Sequence, residues 1–137
     1  MLNMSKLETP LTREYWRQVG GTLVEEFLVV NAGDKVGKRL LDGIIVFDGK
    51  NRIARKEEVD LNDKDVVVIQ TKARRLGMYL LGQAVFSKFL IEKYFNPKSV
   101  KSVALCTEED EVLQDILSEH FSGVEIVVMD KDSNQNY

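Results

Sequence analysis

The chain is short of the residues that build covalent or glycine-lined sites. Cys106 is its one cysteine, so no disulfide can close within it. No glycine-rich phosphate loop follows any apolar run: Lys72-Ala-Arg-Arg-Leu-Gly77 holds a single glycine, which disfavours a Rossmann-type or flavodoxin-like nucleotide binder. Long uncharged runs are missing too. The most apolar helical stretch, Met78 to Phe95, contains Gln83, Lys88, Glu92 and Lys93, so it reads as a core helix and not a membrane span. The N-terminus lacks the charged-then-apolar profile of a secretory signal, which makes the cytoplasm the default location. Excess positive charge is also absent: 19 basic and 22 acidic residues give a formal net charge of -3. That excludes a protein that coats nucleic acid through bulk electrostatics and leaves room for a local basic patch.

What is present fits one domain of 137 residues, long enough to bury a core unaided. Residues 1–8 carry no pattern and 130–137 are polar, so both ends are expected as flexible tails. Thr9-Pro10 reads as a helix start, with threonine as N-cap and proline at the first helical position. Trp16, Val19, Leu23 and Phe27 continue an apolar stripe beside which Glu26 lies, although Gly20-Gly21 weakens the helix and leaves Thr22 to Val30 open as a strand. Lys38 to Phe47 reads as a central strand, apolar on both faces, with Leu40, Ile44 and Val46 sharing a face with Asp42. The charged stretch 49–64 reads as a surface connection. Val66 to Lys72 is a buried strand, Gly77 to Phe95 a helix apolar nearly all round and ended by Asn96-Pro97, and Val100 to Cys106 a further buried strand. Thr107 is placed as the cap of a helix reaching Phe121, with Asp110 in the capping-box position, and Val124 to Met129 as a last strand. Alternation of β and α in the second half predicts an α/β fold with parallel strands there.

Polar residues standing where apolar ones are expected mark the candidate site. Asp42 inside a central strand is costly unless paired, hydrogen-bonded or bound to a cation. Gln70 and Lys72 are two apart on a strand, so alternation puts them on one face. Gln83 interrupts the apolar helix, and Glu26 flanks the first one, with Glu25 as the neighbouring choice. His120 suits a helix C-terminus, and Cys106 reads as a small buried hydrophobe.

In their order, Glu26, Leu-Leu-Asp42-Gly-Ile-Ile, Ile-Gln70-Thr71-Lys72 and Gln83 resemble the PD-(D/E)XK nuclease superfamily over about residues 12–106. The segment Arg75 to Gln83 also resembles one in small bacterial proteins. The resemblance implies a restriction-endonuclease-like αβββαβ core, a mixed central sheet flanked by helices, with a C-terminal αβ extension. It further implies metal-dependent phosphodiester hydrolysis on DNA or RNA. Asp42, Gln70, Glu26 and the Thr71 carbonyl would hold Mg²⁺, with Mn²⁺ as a substitute, and Lys72 would orient water or stabilise phosphate charge. Arg74, Arg75 and Gln83 would contact nucleic acid. Gln70, standing where an acid is usual, lowers the charge of the site by one. The same scaffold as a silent binding or assembly module is the alternative, and a homodimer is expected in either case. The superfamily resemblance requires that the side chains of Asp42, Gln70 and Lys72 meet at one cleft, and Asp42 on the opposite sheet face would count against it.

Overall fold

The structure, a computed structural model, describes residues 2–130. The tail expected at 130–137 lies, apart from Asp130, outside the described residues. Three α-helices, α1 (Leu2–Val19), α2 (Met78–Tyr94) and α3 (Glu111–His120), surround six strands: β1 (Thr22–Val30), β2 (Arg39–Val46), β3 (Arg52–Ala54), β4 (Asp65–Thr71), β5 (Ser99–Cys106) and β6 (Val124–Val128). The strands form one mixed sheet in the order β3-β1-β2-β4-β5-β6. β2 is antiparallel to both β1 and β4, whereas β5 is parallel to β4 and to β6. The fold class is therefore α/β, and the parallel half falls where β and α alternate along the chain.

Val66, Val67, Val68 and Ile69 of β4 are all buried, because helices cover both faces of this central strand. Burying each such side chain stabilises the fold by roughly 1.5–3 kcal/mol relative to exposure. On one face, Leu11 and Tyr15 of α1 pack with Leu23, Ile45, Val67 and Ile69. On the other, Ile91 of α2 joins Val24, Ile44, Val68 and Val100, and Leu80 and Ala84 meet Ala104 and Cys106.

Four sequence expectations are corrected. Helix α1 starts at Leu2, before Pro10, and residues 2–8 are helical and not a tail. Proline removes only its own N–H bond and crowds one carbonyl, a cost of about 3 kcal/mol that the burial of Leu11 and Tyr15 just beyond it can offset. Glu26 is not helical. Gly20 and Gly21, at φ +84° and +88°, end α1 and turn the chain into β1. The turn is held by the Trp16 indole N–H donating to the Gly21 carbonyl at 2.7 Å. The surface connection contains β3, parallel to β1, and a 3₁₀ turn at Lys56–Glu58. Finally, Asp110 is itself the N-cap of α3, accepting from the Leu113 N–H at 3.1 Å, so Thr107 lies outside the helix.

Candidate functional site

Strands β2 and β4 pair from Val46 opposite Val66 to Gly43 opposite Ile69, and then part. Beyond that point side chains take over from the backbone ladder. The Thr71 N–H donates to Asp42 Oδ2 at 2.8 Å, and the Asp42 N–H faces Gln70 Oε1 at 3.4 Å. At the same level Glu26 adopts φ +49° and drops out of the β1–β2 register. Strict alternation breaks there in both strands: Val24 and Phe27, like Leu41 and Ile44, share one core although three residues apart. Leu41 is thus on the face where Ile44 and Val46 lie, not on the opposite one. The break leaves Glu25, Glu26 and Asp42 on the α1 side, where they line a cleft of about 270 Å³ with Glu8, Thr12 and Arg13. Gly43 permits the close approach of α1, since a Cβ there would lie 3.2 Å from the Thr12 methyl. Thr12 and Thr71 then share a hydroxyl hydrogen bond at 2.8 Å.

Burial pushes the Asp42 carboxyl up to about 6; the Thr71 N–H opposes that shift, Glu8 adds to it, Lys72 opposes it, and Glu26 adds to it. Asp42 is therefore a carboxylate whose charge is under-compensated by its surroundings. Glu25 is not, because Arg13 grips both of its oxygens at 2.8 and 2.9 Å, and this bond raises the guanidinium pKa. Of the two adjacent glutamates, Glu25 anchors α1 to β1 and Glu26 stays exposed beside the cleft.

The expected convergence of Asp42, Gln70 and Lys72 on one cleft does not occur. Gln70 is buried on the α2 side, where its Nε2 donates to Ser87 Oγ at 2.8 Å. The Ser87 hydroxyl in turn donates to the Gln83 carbonyl at 2.6 Å. With that proton committed, Ser87 Oγ must accept from Gln70, so the amide orientation follows from the network. Gln70 Oε1 consequently faces the Asp42 backbone and not a ligand position among the carboxylates. Lys72 lies one residue past β4, free of the strand alternation that pairs it with Gln70. Its Nζ sits 3.9 Å from Glu8 Oε2 and 5.8 Å from the centre of the Tyr79 ring. Thr71 is buried with its N–H given to Asp42. Arg74 is exposed, while Arg75 is bound to Glu108 and to the Glu109 carbonyl, pinning the segment before α3. Gln83 lines the groove between α2 and β2. Burial also raises the Cys106 thiol pKa, as a core residue requires and a nucleophile does not.

Glu8 is the site residue that sequence reasoning missed. It fell in the patternless N-terminal stretch, and only the continuation of α1 through Pro10 carries it over the cleft. Its spacing of four from Thr12, which donates to the Glu8 carbonyl at 3.1 Å, was the available signal.

Asp42, Glu8 and Glu26 offer oxygen donors of the kind a hard divalent cation takes, while Arg13, also in the lining, is committed to Glu25. No group of three or more His, Cys, Asp or Glu side chains among the described residues is placed closely enough to hold a metal ion. Among the described residues, no helix is long and apolar enough to cross a membrane. The fold and site define a mixed-sheet α/β protein with a carboxylate cleft where two central strands part. The chain matches no protein-family model, no curated protein and no solved structure.

Proposed function

We propose that this chain is a metal-dependent phosphodiesterase acting on DNA or RNA at the α1 cleft. The observation that carries the reading is that Asp42, Glu8 and Glu26 line one cleft, with Lys72 beside Glu8. With the three-residue strand β3 set aside, the order α1-β1-β2-β4-α2-β5 resembles the αβββαβ succession of the PD-(D/E)XK nucleases, while Gln70, held by Ser87 on the α2 side, departs from their pattern. Asp42, with Glu8 and Glu26, would hold Mg²⁺ or Mn²⁺, leaving Gln70 outside the ligand set as the buried link to α2. A bound cation of this kind polarises a phosphoryl oxygen and acidifies water. The chain itself supplies the rest. The Thr71 N–H fixes the Asp42 carboxylate, and Lys72 offers a positive charge beside the acidic cleft for the charge that develops on phosphate. Arg74 lies exposed just past Lys72, where it can meet the polymer backbone.

A Mg²⁺- or Mn²⁺-dependent cleavage assay over single-stranded, duplex and branched substrates tests this, with Asp42→Ala and Lys72→Ala expected to lose at least 100-fold in rate. Absence of cleavage by the wild type, or cleavage unchanged from wild type in both variants, removes the hydrolase reading. One observation favours a second reading, a non-catalytic binding or assembly module: the amide of Gln70 is committed to Ser87, so the position that usually carries a ligating acid is structural here. A homodimer belongs to both readings, and light scattering at high concentration tests it directly.

A further inference from the structure

Helix α2 has a second face that is exposed among the described residues. Leu80, Ala84, Ser87 and Ile91 are buried against the sheet, yet Met78, Tyr79 and Phe86 are 77%, 73% and 69% exposed. Tyr79 and Phe86 are seven residues apart, two helical turns or roughly 10 Å along the axis, so both rings stand on one side. Gly82 between them leaves open space where a side chain would stand. The groove they border, about 720 Å³, runs between α2 and the start of β2. Lys38 and Arg39 lie along it, and among the described residues no carboxylate does, although acids outnumber bases in the chain.

We infer that this groove is a stacking platform for single-stranded nucleic acid, a surface separate from the carboxylate cleft and leading to it. The identity of the polymer rests on the nuclease reading; the chemistry of the surface rests on the groove. Exposed aromatic rings offer faces to unpaired bases, and Lys38 and Arg39 offer charge to the phosphates between them. A duplex cannot use the rings, because its bases are already stacked. A second copy docked groove to groove would bury the cations of both with no carboxylate between them, which opposes that contact. Tyr79 ties the two surfaces together, since Lys72 Nζ lies over its ring while also reaching Glu8 at the cleft. A strand held along α2 therefore arrives at the charged end of β4.

The experiment is fluorescence anisotropy in the presence of a chelator, with a 20-nucleotide thymidine strand, a uridine strand of equal length, a duplex and phosphatidylserine vesicles. Wild type should bind both single strands at least tenfold tighter than the duplex. Tyr79→Ala and Phe86→Ala should each weaken single-strand binding roughly 5- to 100-fold. Lys38→Ala should flatten the dependence of log affinity on log salt by roughly 0.7. Exposed positions make misfolding of these variants easy to exclude by an unchanged thermal transition. The platform is overturned by single strands that bind no tighter than duplex, or by binding that survives both aromatic substitutions. Vesicle binding without oligonucleotide binding, or a dimer that falls to monomer in the same variants while oligonucleotide affinity holds, overturns it equally and assigns the face to a lipid surface or a second copy. Single-strand binding by a wild type that cleaves nothing upholds the platform and removes the hydrolase reading alone.

Discussion

At the scale of single residues, Asp42 and Gln70 divide a task that looks shared in the sequence. Asp42 has a folded-state pKa raised from 3.8 to about 6, chiefly by burial. A group whose pKa rises on folding contributes stability that is fully present below its unfolded value and is lost as pH climbs through the folded value. For Asp42 that window runs from about pH 4 to pH 6, and ionised Asp42 costs up to about 3 kcal/mol above it. Asp42→Asn should accordingly raise stability at pH 8 by about 1–3 kcal/mol and flatten the pH dependence between 4 and 6, as read from urea midpoints at pH 5 and pH 8. A variant no more stable than wild type at pH 8 would show that the charge is well compensated. Gln70 behaves in the opposite sense. Its amide satisfies Ser87 on one side and faces the Asp42 N–H on the other, so Gln70→Glu forces the Ser87 proton away from the Gln83 carbonyl and adds charge beside Asp42. The expected loss is about 1–3 kcal/mol, larger at pH 8 than at pH 5, and the same urea series checks it. An unchanged midpoint at both pH values would mean that the network carries little energy.

At the scale of elements, the turn between α1 and β1 decides which acids reach the cleft. A Cβ on Gly21 would lie 2.6 Å from the Val46 carbonyl oxygen, and φ of +88° disfavours any side chain there. Gly21→Ala should therefore cost about 3 kcal/mol or more, whereas Gly82→Ala, inside α2 with open space around it, should stabilise by about 0.5–1 kcal/mol. Thermal melts of the two variants should move in opposite directions, and parallel shifts would contradict the account of this turn. The same turn explains which parts of the fold were legible in advance. β4, β5 and β6 announced themselves as apolar runs between turn residues, and α2 ended where Asn96-Pro97 said it should. Thr22 to Val30 stays open between helix and strand in the sequence because Trp16, Val19, Leu23 and Phe27 keep a helical spacing by accident: two of them belong to α1 and two to β1. β3 was hidden because three residues among charges have no periodicity. The residue types of the site were legible, but its convergence was not. Alternation predicts that Gln70 and Lys72 share a face, and it fails because β4 ends at Thr71. Alternation also places Asp42 with Ile44, and it fails where Glu26 and Asp42 jointly break the pleat. Such breaks depend on pairing between strands that lie far apart in sequence, and no local pattern encodes them.

At the scale of the whole molecule, a net charge of -3 hides two surfaces of opposite sign. The sheet presents its carboxylate cleft beneath α1 and its basic, aromatic groove beside α2, with Lys72 in contact with a lining residue of each. Bulk charge therefore repels a polyanion weakly, while the local arrangement offers it one entrance and offers a cation another. A divalent cation should be felt by the entire fold, because a ligand that binds the native state stabilises it by RT ln(1 + [L]/Kd). For a site of about 1 mM affinity, 10 mM Mg²⁺ contributes about 1.4 kcal/mol, which moves the thermal midpoint of a domain this size by a few degrees. The shift should be present at pH 8, where Asp42 is ionised, and should shrink at pH 5, where it is protonated and the cation must displace a proton. It should also vanish in Asp42→Asn and weaken in Glu8→Gln, while Glu25→Gln, whose wild-type partner is Arg13, should lower stability and leave the Mg²⁺ increment in place. A shift that persists in Asp42→Asn would place the cation elsewhere, and no shift at either pH would remove the metal from the cleft and leave the carboxylates there as a purely electrostatic feature.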